Sequence, residues 1–209
     1  MSAARLPDTK RVLDLAIAVP VFVVSLPVQC FVGLLVSRKL GRPVLFEQTR
    51  PGLNGEPFTM RKFRSMLPVD EFRGQVDDAS RMTSFGRVLR STSLDELPTL
   101  WNVIRGDMSL VGPRPLLMQY LPLYTREQAR RHEVRPGLTG LAQVSGRNAI
   151  SWEEKFRLDV EYVDRRTLRL DLRILLDTVM AVLRRDGVSA ADSVTMPEFR
   201  GSDAAEVAA

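Results

Sequence analysis

Cysteine and histidine are almost missing from the 209 residues: Cys30 and His132 stand alone. One cysteine excludes a disulfide framework, and one of each excludes a zinc site of Cys/His type. A nucleophile–histidine triad would rest entirely on His132. Any metal used here is therefore a hard cation with oxygen ligands, such as Mg²⁺. Lysine is also scarce, at Lys10, Lys39, Lys62 and Lys155, so arginine supplies most of the 30 basic residues that face 25 acidic ones. Arginine suits bidentate contact with phosphate and carboxylate, but a bias in genome composition produces the same count. Interleaved aromatics on a basic face are absent, which argues against single-stranded nucleic acid as a partner. With 44% apolar residues the chain has material for one core and not for two full domains.

Charge is also missing locally. From Leu15 to Ser37 there are twenty-three residues without one charge, long enough to cross a hydrocarbon core of ~30 Å as a helix. The stretch ends in Val36-Ser37-Arg38-Lys39, which does not resemble a signal-peptide cleavage site. Basic residues flank both ends: Arg5, Lys10 and Arg11 before, Arg38, Lys39 and Arg42 after. Because positive flanks tend to stay on the cytoplasmic side, a straight span would misplace one cluster. Pro27 and Pro20 lie inside the run, and proline removes a helical hydrogen bond and crowds the preceding turn. Three readings remain: a re-entrant helix-break-helix at Pro27, with the Ser25 hydroxyl serving a freed carbonyl, a kinked single span, or a buried core helix.

The remainder has the composition of a water-facing domain. Residues 43–48 read as a strand, Arg50 to Pro57 as a turn, and Phe58 to Met66 as the return strand of a hairpin. Residues 68–80 are polar and read as a mobile loop. A short helix opens at Thr83, and a second runs from Ser93 to Gly106. Residues 116–131 have amphipathic helical spacing, with Leu117, Tyr120, Leu121 and Tyr124 on one face. Helical patterns follow over 151–165 and 170–185, and beyond Val188 the chain reads as a tail. These elements predict a mainly helical α+β fold with three parts: 1–39 a membrane segment, 40–187 a catalytic domain, and 188–209 a flexible tail.

Ser93-Leu94-Asp95-Glu96 has two readings. One is a capping box, in which Ser93 caps the helix and Glu96 reaches back. The other places adjacent carboxylates in the field of a helix start, keeping Asp95 ionised as a nucleophile able to carry a phosphoryl group, with Mg²⁺ offsetting charge. Lys62, Arg90 and Arg114 are candidate phosphate-binding cations if the fold gathers them. The run with Gly137, Gly140, Gly146 and Arg147 offers backbone close approach to a phosphate or sugar, although it is no Walker or dinucleotide fingerprint. On spacing alone, Asp159 is a helix-surface residue.

Several stretches in order carry a resemblance. They are Lys10-Arg-Val-Leu-Asp14, Pro27 in the apolar run, Phe46-Glu-Gln-Thr-Arg-Pro-Gly-Leu-Asn54, Lys62-Phe-Arg-Ser-Met66 and Arg90-Ser-Thr-Ser-Leu-Asp-Glu-Leu-Pro98. Asn102 to Ser109, Gly112-Pro-Arg-Pro115 and Arg135 to Asn148 complete the set. Together they resemble the bacterial sugar transferases, the monotopic polyprenyl-phosphate phosphoglycosyl transferases, over roughly 10–187 and in minimal catalytic form. The resemblance implies transfer of a sugar 1-phosphate from a UDP-sugar to undecaprenyl phosphate at the cytoplasmic face of a bacterial inner membrane, with Mg²⁺ and release of UMP. It implies Asp95 as nucleophile and Glu96 as its partner in metal binding and proton handling. Lys62, Arg90, Arg114 and Asp159 fall on family active-site positions, and Arg147 is a nucleotide candidate. The family's re-entrant helix breaks at a Ser-Pro pair, whereas here Leu26 precedes Pro27 and Ser25 is one place further back. A non-catalytic, membrane-attached binder of anionic lipid or nucleic acid is the rival reading. Neither the sugar nor the oligomeric state is written in the sequence.

Overall fold

The computed structural model describes residues 9–73, 75–146, 150–184 and 198–202. Helix α1 (Thr9–Lys39) is followed by an antiparallel hairpin, β1 (Leu45–Pro51) and β2 (Pro57–Phe63). Its register runs from Leu45 opposite Phe63 to Pro51 opposite Pro57. The connection turns at Asn54 (φ 56°) and Gly55 (φ 78°), two residue types that enter the left-handed region at little cost.

Residues 68–80 hold more structure than the expected loop. They include an isolated bridge between Asp70 and Gln75 and the start of α2 (Asp78–Arg81), capped by Asp77. Helix α3 (Ser84–Ser91) begins as expected, with the Thr83 hydroxyl accepting from Gly86 N–H. Next comes a 3-10 turn, Leu94–Thr99, and then α4 (Leu100–Arg105), which ends at Gly106 (φ 94°). Proline at 98 explains why this segment is two short elements and not one helix.

Strand β3 (Ser109–Val111) leads to a stretch that the sequence paints as one amphipathic helix. It is broken instead: Pro122 lies in a 3-10 turn, and Thr125 caps a separate short helix, α5 (Arg126–Ala129). Its apolar face is core, with Tyr120 buried in an aromatic cluster with Phe156 and Phe199. Strand β4 (Gly137–Thr139) pairs in parallel with β3, and α6 (Leu141–Ser145), α7 (Trp152–Arg165) and α8 (Leu168–Arg184) complete the fold. Within the segment read as a flexible tail, residues 198–202 are docked: Phe199 is 3% exposed, and Gln119 and Gln128 bond Glu198 and Ser202.

Helix α1 runs continuously through Pro20 and Pro27, so the structure does not show the expected re-entrant hairpin. One proline removes one backbone donor, and side chains compensate nearby: Ser25 Oγ donates to Phe22 O at 3.0 Å and accepts from Gln29 Nε2 at 2.9 Å. Both ends of α1 are held by the same domain. At the start, Lys10 bonds Asp171 at 2.6 Å, Arg11 donates to the carbonyls of Val103 and Ile104 at the end of α4, and Asp14 accepts from Ser109 and Leu110. At the end, Val32, Val36 and Leu40 pack on Phe63 and Leu89. Lys10 and Arg11 thus serve the fold rather than standing free as flanking charges. Between these anchors the outer side is apolar and exposed, as at Val24 (78%) and Phe31 (61%).

Candidate active site

The hairpin supplies Lys62, and hydrogen bonds to the β2 backbone bring the carboxylates to it. The backbone groups of β2 that face away from β1 have no strand partner there. Asn102, 1% exposed, accepts from Arg61 N–H at 3.1 Å and donates to Thr59 O at 2.7 Å, while Thr99 Oγ1 donates to Arg61 O at 2.7 Å. These bonds satisfy buried backbone groups and fix the Leu94–Thr99 turn across β2 beside Lys62. Thr99 does not stand out in the sequence, and Asn102 does so only as the first residue of a matching stretch, because their partners lie about forty positions away.

The capping box does not form. Ser93 is in the left-handed region (φ 55°) and its side chain makes no cap bond. Glu96 turns to Arg114, meeting Nη2 at 2.8 Å. Asp95 is 5% exposed. Burial, and next the neighbouring Glu96, push its carboxyl up to about 6, while Lys62, Arg90 and Arg114 pull it back. The expected field of a helix start is joined here by stronger influences: desolvation and Glu96 oppose ionisation of Asp95, and the three cations favour it. Lys62 moves the other way, down to about 8, from burial first and then from Arg114 and Arg90 against the pull of Asp95.

Arg90 comes from the last turn of α3. Gly86 lets that helix rest on the chain at Ser65, since a Cβ there would stand 1.9 Å from Ser65 O. The buried Ser65 hydroxyl then accepts from Arg90 Nε at 2.9 Å, and burial lowers the arginine's pKa. Arg114 is presented by the Gly-Pro-Arg-Pro turn, seated by another close approach. A Cβ at Gly137 would lie 2.1 Å from Gly112 N, and one at Gly140 would lie 2.2 Å from Gly112 O. Gly137 and Gly140 thus serve backbone packing under Arg114, and Gly137 also lines the cleft beside it. Arg147 lies outside the described residues.

Asp159 is not brought to the carboxylates. It is buried on α7 and holds Arg131 at 2.7 and 3.0 Å; Arg131 in turn donates to the Arg114 carbonyl at 2.7 Å. Both side chains are nearly inaccessible, at 1% for Arg131 and 3% for Asp159. The pair therefore braces the backbone at Arg114, and Arg131 was invisible from sequence spacing.

Lys62, Glu96 and Arg114 line one cleft, together with Arg50, Met60, Leu116 and Leu138. The cleft is partly open to solvent. Among the described residues no cluster of three or more Asp, Glu, His or Cys side chains is placed to hold a metal. Two adjacent carboxylates nevertheless suit Mg²⁺, which keeps several waters and takes other ligands from a substrate phosphate.

The chain matches the bacterial sugar transferase family over residues 6–185. It is 53% identical over 194 residues to an uncharacterized sugar transferase, EpsL, of Bacillus subtilis, covering 92% of this chain and 96% of that one. It is 42% identical over 189 residues to a UDP-glucose:undecaprenyl-phosphate glucose-1-phosphate transferase of Caulobacter vibrioides, covering 85% of this chain and 70% of that one. A third relative, an undecaprenyl-phosphate galactose phosphotransferase of Salmonella typhimurium, is 37% identical over 196 residues, covering 85% of this chain and 41% of that one. The matched region takes in the hairpin, the Asp95–Glu96 turn and all three cations around it, and on this ground the chain belongs to the bacterial sugar transferase family.

Proposed function

We propose that the protein transfers a sugar 1-phosphate from a UDP-sugar to undecaprenyl phosphate, in polysaccharide assembly, through a phosphosugar carried on Asp95. The reading is supported by the family and by the substrates that relatives' names state. One observation carries the mechanism: a desolvated carboxylate, Asp95, ringed by Lys62, Arg90 and Arg114 beside an open cleft. Lys62, Arg90 and Arg114 hold the diphosphate oxygens. An ionised Asp95 oxygen attacks the phosphorus that bears the sugar, the bond from that phosphorus to the bridging oxygen breaks, and UMP leaves with the electron pair. A phosphate oxygen of undecaprenyl phosphate then attacks the same phosphorus and returns Asp95 as a carboxylate. Glu96 restrains Arg114 and stands next to Asp95 for proton handling. Asp95 and Glu96 are the residues that would hold Mg²⁺, whose chemistry there is to neutralise diphosphate charge.

Attachment to the membrane surface follows from two apolar faces. The interval from Lys10 to Val36 would be ~39 Å long as a straight helix, longer than a hydrocarbon core of ~30 Å. A domain that holds both ends cannot lie on both sides, so α1 enters one leaflet by its exposed outer side. The re-entrant form, with a bend at Pro27 served by Ser25 and Gln29, is the membrane-bound state proposed here and departs from the continuous helix described above. The leaflet is the cytoplasmic one, where UDP-sugars are made. Helix α8 adds a second face: Leu168, Leu172, Leu176, Val179 and Leu183 are exposed at helical spacing, with Arg169, Arg173 and Arg184 along one side. An apolar stripe bordered by arginine suits an anionic lipid surface.

The test is to give the detergent-solubilised protein radiolabelled UDP-sugars one at a time, without acceptor. One of them should release UMP and leave a phosphosugar on Asp95 that mass spectrometry locates, and Asp95→Asn should leave none. A requirement for both substrates before any UMP appears would overturn the two-step reading.

A further inference from the structure

Arg50 lines the same cleft and has no role in the chemistry above. It lies near the end of β1, opposite Phe58, and lines the cleft with Lys62, Glu96 and Arg114. Its Nη2 donates to Gln48 Oε1 at 2.6 Å, and Nη1 reaches Pro115 O only at 3.4 Å. Its Nε is buried and has no hydrogen-bond partner. Among the described residues no carboxylate comes within ion-pair distance of it, although Glu96 pairs with Arg114. Arg50 is half-buried, and its idle donor gains from an anion that completes it.

Contacts order the residues along the cleft. Glu96, the neighbour of Asp95, pairs with Arg114 at 2.8 Å, and Arg50 Nη1 reaches the carbonyl of Pro115, the neighbour of Arg114, at 3.4 Å. Arg114 therefore sits between the carboxylate pair and Arg50. A donor whose sugar-bearing phosphorus faces Asp95 extends its other phosphate past Arg114 toward Arg50. This rests on the Asp95 reading above.

We propose that Arg50 binds the second phosphate of the nucleotide sugar, the one that departs with the nucleoside. In the first step the Asp95 oxygen forms a bond to the sugar-bearing phosphorus and the bond to the bridging oxygen breaks. That oxygen leaves on UMP with one more negative charge, which the guanidinium of Arg50, lining the cleft with Arg114, offsets. Arg50 is thus a group that holds the leaving nucleotide.

The test is equilibrium binding to the full chain in nanodiscs, with UMP, uridine and undecaprenyl phosphate as separate probes. Arg50→Gln should weaken UMP binding about 10- to 100-fold, the range for a hydrogen bond to a charged group, and leave uridine and undecaprenyl phosphate binding unchanged. Arg50→Lys keeps the charge without the planar fork and should fall between Gln and wild type; it also serves if the Gln variant does not fold. UMP affinity equal to wild type in either folded variant overturns the proposal. So does a loss confined to undecaprenyl phosphate, which would assign Arg50 to the acceptor, or an equal loss for uridine and UMP, which would make it structural. Binding of UMP needs no covalent step, so a wild type that forms no adduct would defeat the Asp95 reading and leave this measurement to judge Arg50 on its own.

Discussion

Two lysine–aspartate groups in this protein, both largely shielded from water, differ in how completely they are satisfied. Lys10 and Asp171 meet at 2.6 Å, and Tyr162 joins both, accepting from Lys10 at 3.2 Å and donating to Asp171 at 2.8 Å. Every member of that group has a directed partner, and together they join α1 to α8. Lys62 and Asp95 attract each other without forming a salt bridge, amid two arginines and a second carboxylate. Burial drives their pKa values toward each other, to about 8 and about 6. A saturated buried network locks two elements together; an unsaturated one keeps its charges available for a ligand.

The comparison breaks most sharply by substitution at each aspartate. Asp95→Asn should cut UMP release by about 10⁴-fold or more, as loss of a nucleophile does, while its melting temperature stays near that of wild type. Asp171→Ala should do the opposite. It strands the Lys10 charge and the Tyr162 hydroxyl, costing about 3 kcal/mol in denaturant unfolding, with the folded fraction still active.

A smaller effect is expected with pH. Asp95 must be ionised and Lys62 protonated in the free enzyme. Because the first pKa is raised to about 6 and the second lowered to about 8, kcat/KM should fall below the one and above the other. A pH profile of donor-dependent UMP release checks this, and Lys62→Arg should remove the alkaline limb from whatever activity it keeps. Smallest of all is the effect of Leu176→Glu with Leu183→Glu on α8. Vesicle flotation should show a few-fold loss of binding to anionic lipid, with turnover in detergent unchanged.

Much of the local structure was legible. Asn54-Gly55, Thr83, Gly106 and Ser151 mark a turn, two helix starts and a helix stop, and each does so in the structure. The failures are instructive because they are tertiary. Ser93 could cap only if the chain entered a helix in extended form, and the left-handed backbone there prevents it. Glu96, freed from the box, is taken by Arg114 eighteen residues on. Asp159 looked exposed because its partner Arg131 lies on another element. Arg50 was visible only inside a longer matching stretch.

By itself the sequence determined the apolar helix, the hairpin, the caps and the pair of adjacent carboxylates, since these depend on side-chain period and on dihedral preferences of single residues. Tertiary structure alone decided that the candidate cations Lys62, Arg90 and Arg114 are gathered around Asp95, how far burial shifts its proton equilibrium, and that both ends of α1 rest on one domain. Those outcomes depend on distances between elements far apart in the chain, and an electrostatic field is set by distance and solvent exclusion, neither of which is carried by residue order.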